Sequence, residues 1–274
     1  MTRIGGLQAK RVSPGYYDAV AASAQIRPFP SPVNDPRWLN TAAKWFSQGR
    51  WVLEVGPGRG EFAEAVIRRG GPERYYLVDI SQGMLDLVRL RTSLESEVER
   101  VFLHADIDSD PLEEILDGCL DRIIMINAFQ DVDPKAVLKT FRRVVAPQGL
   151  LRVNVISRKF REEFLSQDEN FDRDQGQFYL TRCPAEGVEP LGFLRREGGE
   201  EVPYYRILKS YYSSDLREIF HESGFEIVSA EPIVIPREIW AKTAAGRKMS
   251  EVQEDILRRF GGYPGSVDII ARPI

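Results

Sequence analysis

Three glycines at alternate positions form the strongest chemical signal in the sequence. The segment VLEVGPGRGEF, residues 52–62, places Gly56, Gly58 and Gly60 directly after an apolar run and before a helical pattern. Glycines at such a junction let the backbone turn tightly and let a ligand approach the main chain, while the helix start adds unpaired N–H groups. The segment therefore predicts a ligand-binding loop between a buried strand and a helix.

Polar residues end the strand patterns that follow. Asp79 closes the second apolar run, Asp106 follows the third, and Asn127 ends the fourth. An acidic residue at the end of the second strand can accept hydrogen bonds from the hydroxyls of a ribose. Because the carboxyl ends of parallel strands line one crevice, these residues predict a single ligand-binding site.

The elements that must position these residues alternate between strand and helix. Strands are predicted at Trp51–Val55, Tyr75–Ile80, Arg100–His104, Leu120–Asn127, Leu150–Ile156, Phe225–Ala230 and Val267–Arg272. Helices are predicted at Asp35–Gln48, Glu61–Arg69, Gln82–Arg91, Pro134–Val145 and Ser214–Glu222. This alternation predicts an α/β fold of the Rossmann-like, doubly wound type, with a mainly parallel seven-stranded sheet, a last antiparallel strand and inserted lid or substrate elements.

The chain is predicted to form one domain over residues 1–274. Its parts are an N-terminal lid with helices (1–48), a cofactor-binding core (49–156), an insertion (157–210) and the C-terminal part of the sheet (211–274), which contains a helical insertion (236–262). Within the first insertion, strands are predicted at Gln177–Thr181 and Tyr204–Tyr212.

Composition narrows the classes of protein that fit. The net charge of −4 argues against a phosphate-driven nucleic-acid binder. Two cysteines, Cys119 and Cys183, and two histidines argue against a disulfide framework and a zinc site, so we expect no metal. No apolar run approaches the roughly 18 residues of a transmembrane helix, and the N-terminus lacks the apolar stretch of a secretory signal. We therefore expect a cytoplasmic protein that acts without membrane or nucleic acid.

Together the motifs resemble the class I S-adenosylmethionine-dependent methyltransferases. VLEVGPGRGEF is similar to the glycine motif of that family, LVDISQGML to its second-strand motif and HADI to its third. The resemblance continues through DRIIMINAFQDVDP, FRRVVAPQGLLRVNV and YSSDLREIFHESGFEIV, and covers residues 50–156 and 211–274. It implies that S-adenosylmethionine is the cofactor.

The resemblance also implies which residues contact the cofactor. The methionine part would be surrounded by Glu54, Gly56, Gly58 and Gly60, the ribose and adenine by Asp79, Ile80 and Met84, and the adenine edge by Asp106 and Ile107. Asn127, at the end of the fourth predicted strand, and Phe129, just after it, are also assigned to the cofactor site.

The acceptor pocket is expected beside the sulfonium, under the N-terminal segment and the insertions 157–210 and 236–262. Gln130 and Asp131 take the places where many small-molecule members carry a histidine pair, so Asp131 is the candidate base or ammonium-binding group, and Gln130 a candidate substrate contact. Gly15-Tyr-Tyr-Asp18 resembles the N-terminal lid helix of such members, which assigns Tyr16 and Tyr17 to the substrate. We expect residues 10–30 to form a lid that few contacts hold in place.

The function predicted from the sequence is methyl transfer to O, N or C of a small molecule. The alternatives are methylation of RNA or protein, and a non-catalytic binding or assembly protein with the same fold. The absence of Asn/Asp-Pro-Pro-Tyr/Phe after the fourth strand disfavours methylation of nucleic-acid base amines. A nicotinamide dehydrogenase is disfavoured because the glycines are spaced GxGxG rather than GxGxxG. The sequence does not predict the oligomeric state.

Overall fold

A computed structural model describes residues 11–23, 31–93, 96–166, 168–241 and 251–274. Parts of three predicted segments lie outside these ranges. They are residues 1–10 and 24–30 of the N-terminal part, which includes the predicted lid, residue 167 of the insertion 157–210, and residues 242–250 of the helical insertion.

The main sheet has seven strands in the order β11-β12-β5-β4-β1-β2-β3. These strands are β1 (Trp51–Val55), β2 (Arg74–Asp79), β3 (Glu99–His104), β4 (Leu120–Met125), β5 (Val145–Ile156), β11 (Phe225–Pro236) and β12 (Gly262–Pro273). The first five pair in parallel, whereas β12 runs antiparallel to both β5 and β11. The predicted fold class, including the antiparallel last strand, is confirmed.

The apolar strands place the core on both faces of this sheet. Leu53 of β1 pairs with Tyr76 of β2 and with Ile123 of β4, and all three side chains are buried. Because the strand order reverses between β1 and β4, the connections that follow these two strands leave to opposite faces and open a crevice at their carboxyl ends. Ligands of open α/β sheets bind in such a crevice.

Nine helices flank the strands in the described ranges. They are α1 (Tyr16–Ala22), α2 (Pro36–Phe46), α3 (Glu61–Ile67), α4 (Gln82–Arg91), α5 (Pro134–Val144), α6 (Arg158–Phe164), α7 (Ser213–Glu222), α8 (Arg237–Trp240) and α9 (Glu251–Phe260). Helix α4 begins at the predicted residue because the Ser81 hydroxyl accepts a hydrogen bond from the Met84 N–H at 3.0 Å. Asp133 caps α5 in the same way, accepting from the Lys135 N–H at 2.9 Å.

The predicted insertion 157–210 contains more elements than the sequence indicated. A small antiparallel sheet, which we call the roof sheet, consists of β6 (Phe171–Asp172), β7 (Gln177–Leu180) and β10 (Arg206–Lys209). A separate hairpin pairs β8 (Gly192–Arg195) with β9 (Glu201–Tyr204). Only Gln177–Leu180 and Arg206–Lys209 lie within predicted strands. The others are short and partly exposed, so they carry too little apolar alternation to be recognised.

The last two strands are longer than predicted, and β11 and β12 pair from Phe225↔Pro273 to Pro236↔Gly262. Of the predicted helical insertion 236–262, the described residues contain α8 at its start and α9 near its end. Two register shifts, near Ser229 and Ile235, break the alternation of the outer strand, which explains why its second half was missed.

Candidate functional site

A cavity of about 740 Å³ lies at the carboxyl ends of the main-sheet strands and is bounded by the roof sheet and α1. Its volume falls within the range of small-molecule sites, roughly 300–1,000 Å³. The predicted site residues that line it are Tyr16, Tyr17, Glu54, Gly56, Gly58, Asp79, Ile80, Met84, Asp106, Ile107, Asn127, Gln130 and Asp131. The structure therefore brings together thirteen of the predicted residues, which come from five separate segments of the chain.

The first two glycines of the loop give the cavity a main-chain wall. Gly56 and Gly58 have φ values of 67° and 56°, in the left-handed region that side chains disfavour. A Cβ at Gly56 would come within 2.9 Å of the Ala128 Cβ, so only glycine fits there without displacement. A ligand can thus approach the backbone between β1 and α3.

Two predicted cofactor contacts do not line the cavity, and both assignments are corrected. Gly60 begins α3 and faces α4, where a Cβ would lie 3.2 Å from the Val88 Cα, so this glycine permits close helix packing. The Phe129 ring is fully buried in the core beside Tyr211 and Phe220. Its position after the fourth strand suggested the site, but its apolar ring is turned into the core.

Glu54, at the end of β1, is a buried carboxyl group. Its only described hydrogen-bond partner is the Tyr75 hydroxyl, which donates to Oε2. Burial raises the pKa of Glu54 to about 8, although the Tyr75 hydrogen bond lowers it. A cationic group of a ligand placed beside Glu54 would favour the ionised carboxylate.

Asp79 lies at the end of β2, and its carboxylate accepts the Ser81 N–H at 2.9 Å. Burial raises the pKa of Asp79 to about 6, against hydrogen bonds from the Ser81 and Gly58 amides that lower it. These two amides fix the carboxylate beside the glycine loop, where hydroxyl donors of a ribose would be accepted.

An apolar surface continues from Asp79 towards the end of β3. Met84 and Ile107 are buried, whereas the Ile80 side chain remains 39% exposed although it lines the cavity. Asp106, also in the lining, accepts the Asp108 N–H at 3.2 Å. An apolar surface with a carboxylate at its edge suits a flat heterocycle that carries an amino group, so these residues fit adenine.

Asn127, beyond the end of β4, adopts a left-handed conformation with φ 52°. Its side-chain amide donates to the Ser31 hydroxyl at 2.9 Å, and its main-chain carbonyl accepts from the Gln130 side-chain amide. Asparagine tolerates this backbone region better than most residues. The two hydrogen bonds fix the chain where it turns from the cofactor half of the cavity towards Asp131.

Asp131 is already engaged, which the sequence did not indicate. Arg206 of the roof sheet binds it in a bidentate ion pair, with Nε at 2.7 Å from Oδ1 and Nη2 on Oδ2, and the Tyr17 hydroxyl donates to Oδ2 at 3.1 Å. Burial lowers the pKa of Arg206, but the charge and hydrogen bonds of Asp131 outweigh burial and raise it. Protonating Asp131 would break this pair, so the geometry supports neither the predicted base nor an ammonium-binding role.

Hydrogen bonds before α1 and in its first turn hold the N-terminal segment over the cavity. Asp18 accepts from the Ser81 hydroxyl at 2.6 Å and from the Gly83 N–H at 3.0 Å. On the other side, Ser13 N–H donates to the Tyr205 carbonyl at 3.0 Å, which attaches the segment to β10. The expectation of few contacts is therefore wrong for residues 11–23.

Arg206 is a cavity-lining residue that the sequence did not indicate. It lies 75 positions from Asp131, on a four-residue strand, and no local spacing links the two. The sequence carries only a weak signal for it. Arg206 and Leu208 are two positions apart on β10, so both lie on the face of the strand that lines the cavity.

The described ranges contain no cluster of three or more His, Cys, Asp or Glu side chains arranged to hold a metal ion. Among the same residues, no helix is long and apolar enough to cross a membrane.

Comparison with known proteins agrees with this geometry. Residues 53–153 match the family model described as a methyltransferase domain. A sequence search of curated proteins found no match.

Similar folds occur in solved structures of methyltransferases. A chain from the complex between the Haloferax volcanii Trm112 methyltransferase activator and a methyltransferase has a TM-score of 0.60 at 17% identity, covering 94% of this chain and 96% of that one. The CcbJ methyltransferase from Streptomyces caelestis has a TM-score of 0.55 at 14% identity, covering 97% of both. The 1,6-didemethyltoxoflavin-N1-methyltransferase from Burkholderia thailandensis, solved with its substrate and S-adenosylhomocysteine, has a TM-score of 0.51 at 13% identity, covering 94% and 84%.

At these identities the structural likeness concerns the fold, and the family match adds the glycine loop and the strand ends that follow it. The same region contains Asp79, the apolar surface of Met84 and Ile107, and the main-chain wall described above. Residues 53–153 are thus similar to a methyltransferase domain, the chain has the fold of solved methyltransferases, and the cofactor that fits this site is S-adenosylmethionine.

Proposed function

We propose that the protein transfers the methyl group of S-adenosylmethionine to an oxygen, nitrogen or carbon atom of a small molecule. The observation that carries this proposal is the cover over the cavity. Residues 11–23 and the roof sheet lie on the acceptor side, and α1 is hydrogen-bonded to the start of α4. A partly covered cavity of about 740 Å³ suits a small acceptor better than a folded protein or an RNA helix.

The bound cofactor would supply an electrophilic methyl group on a sulfonium. The chain's own residues bind and orient the cofactor and the acceptor. The backbone of Gly56 and Gly58 and the side chains of Glu54 and Asp79 hold the cofactor. The Asp131–Arg206 pair fixes the roof sheet to the end of β4, and Tyr17 joins α1 to the same pair. Methyl transfer depends mainly on alignment of donor and acceptor, and these contacts would exclude water while the two are aligned.

The proposal is tested with purified protein, labelled S-adenosylmethionine and a small-molecule extract, with RNA and protein fractions assayed in parallel. We expect label in the small-molecule fraction. Label only in RNA or protein would support the alternative acceptors. Tight binding of S-adenosylhomocysteine without any transfer would support a non-catalytic binding or assembly protein.

Asp79→Ala should weaken S-adenosylhomocysteine binding. Loss of hydrogen bonds to a charged acceptor costs about 1.5–3 kcal/mol, which is roughly 10- to 150-fold in Kd. The matched control is Asp86→Ala, since Asp86 is exposed on α4 and does not line the cavity. Calorimetric titration measures both variants, and an unchanged Kd in folded Asp79→Ala would refute its assignment to the ribose.

Cofactor affinity should rise with pH because Glu54 is largely protonated in the ligand-free protein at pH 7. The raised pKa of about 8 means that binding a ligand ammonium group, which favours the carboxylate, must release a proton. Affinity for S-adenosylhomocysteine should therefore increase between pH 6 and 8, by up to about tenfold per pH unit, and level off above the pKa. Asp79, with a pKa of about 6, adds a smaller change in the same direction near pH 6.

Titrations in buffers of different ionisation enthalpy measure the released proton directly. Glu54→Gln should abolish the proton release at pH 7. Equal affinity at pH 6 and 8 in the wild-type protein would contradict the contact between Glu54 and the cofactor.

A further inference from the structure

The two sides of the cavity differ in charge. The strand-end side carries the carboxylates of Glu54, Asp79 and Asp106. The roof side carries guanidinium groups from α6, from the segment after β7 and from β10; these are Arg161, Arg182 and Arg206. Since the acidic side is assigned to the cofactor, the basic side faces the acceptor.

The acid nearest to these arginines is already neutralised. Both carboxylate oxygens of Asp131 are engaged by Arg206. The aromatic face of Tyr17 is covered as well, because the Arg206 guanidinium carbon lies 5.3 Å from the ring centroid. A cationic acceptor would therefore meet a guanidinium where it needs a carboxylate or an open aromatic face.

Hydrogen-bond donors line this side. Arg206 uses Nε and Nη2 for Asp131 and also hydrogen-bonds Tyr16, and its side chain is 17% exposed. Tyr16 lies beside Arg206: burial raises the pKa of its hydroxyl, and the charge and hydrogen bonding of Arg206 lower it. Because a guanidinium can only donate, the Tyr16 oxygen is the acceptor in its bond with Arg206; among the described residues, no hydrogen bond uses the Tyr16 O–H as donor, and Arg182 forms no ion pair.

From this arrangement we propose that the methyl acceptor carries a carboxylate or phosphate group, bound by Arg206, the Tyr16 hydroxyl and Arg182. The inference rests on the proposed function, because it assigns the roof side to the acceptor. An oxyanion would accept hydrogen bonds from the guanidinium edge and the hydroxyl together, and charge-assisted hydrogen bonds of this kind are among the strongest in proteins. Leu180 and Leu208, which line the same side, would contact an apolar body.

The test uses four probes that share one ring and differ in charge: benzoate, phenyl phosphate, benzyl alcohol and benzylamine. Each is titrated by calorimetry into the full-length protein, with and without saturating S-adenosylhomocysteine. We expect one or both anions to bind at least about tenfold more tightly than the alcohol and the amine. The stronger of the two anions identifies carboxylate or phosphate as the preferred group. Equal or tighter binding of the alcohol or the amine, or no anion binding at about 10 mM, would overturn the proposal.

Variants locate the anion site. Tyr16→Phe and Arg182→Gln should each weaken anion binding by about fivefold or more, and leave the affinity for benzyl alcohol unchanged. Arg206→Lys keeps the positive charge but loses the paired N–H donors of the guanidinium. It should therefore weaken anion binding while the protein stays folded. The control is Arg195→Gln, because Arg195 is exposed, pairs with Glu201 and does not line the cavity. An anion preference that persists in both Tyr16→Phe and Arg182→Gln would place the anion elsewhere and overturn the assignment.

This experiment separates the two proposals. If the anion preference and its loss in the variants are observed but no methyl transfer is found in any fraction, the proposed function fails and the anion site stands. If methyl transfer to a neutral or cationic small molecule is found, the proposed function stands and the anionic acceptor is refuted.

Discussion

Gly58→Val should abolish measurable cofactor binding while leaving the protein folded. Gly58 has a φ of 56°, its amide hydrogen-bonds Asp79, and it lines the cavity between β1 and α3. A β-branched side chain disfavours this backbone region and would occupy the space in which a ligand approaches the main chain. We expect S-adenosylhomocysteine to bind at least about 100-fold more weakly, which corresponds to about 2.7 kcal/mol.

The matched control is Gly70→Val. Gly70 also has a positive φ, 89°, but a Cβ there meets nothing within 4 Å, and the residue does not line the cavity. Both variants bear the same kind of backbone strain, and only Gly58→Val should lose the cofactor. Calorimetric titration and urea unfolding of both variants measure the two effects separately. Normal cofactor binding by Gly58→Val would mean that the loop is only a turn.

The cofactor half of the site could be predicted because its determinants are local in sequence. Each strand end carries its own signal within a few residues, and a parallel sheet brings such ends together whatever the details of packing. The same logic explains the two errors. Gly60 and Phe129 lie in the right segments, but whether a residue at the end of a strand faces the cavity or the core depends on tertiary packing.

The acceptor half could not be predicted in the same way, because its contacts are distant in sequence. Tyr17 and Asp131 are 114 positions apart, and Asp131 and Arg206 are 75 apart. The strands of the roof sheet, one of which carries Arg206, are each four residues long or shorter, so they give no periodic signal. The sequence identified Asp131 as unusual, but its chemistry is decided by an arginine that no motif connects to it.

The tertiary contacts that define the acceptor half also hold it together, which gives the last prediction. Arg206→Met should destabilise the protein by about 3–5 kcal/mol, because it leaves the Asp131 carboxylate buried without its partner. The double variant Arg206→Met/Asp131→Leu should recover most of that loss, since apolar side chains of similar volume replace a buried ion pair at little net cost. Urea unfolding of the wild type, both single variants and the double variant measures this cycle.

An exposed pair provides the contrast for that cycle. Arg195 and Glu201 are bonded across the β8–β9 hairpin, with side chains 70% and 55% exposed. Breaking this pair with Arg195→Met should cost less than about 1 kcal/mol, because water screens the two charges. If Arg206→Met costs no more than Arg195→Met, the Asp131–Arg206 pair does not fasten the roof sheet to β4. If the double variant is no more stable than Arg206→Met alone, the loss comes from packing of the arginine stem rather than from the unpaired carboxylate.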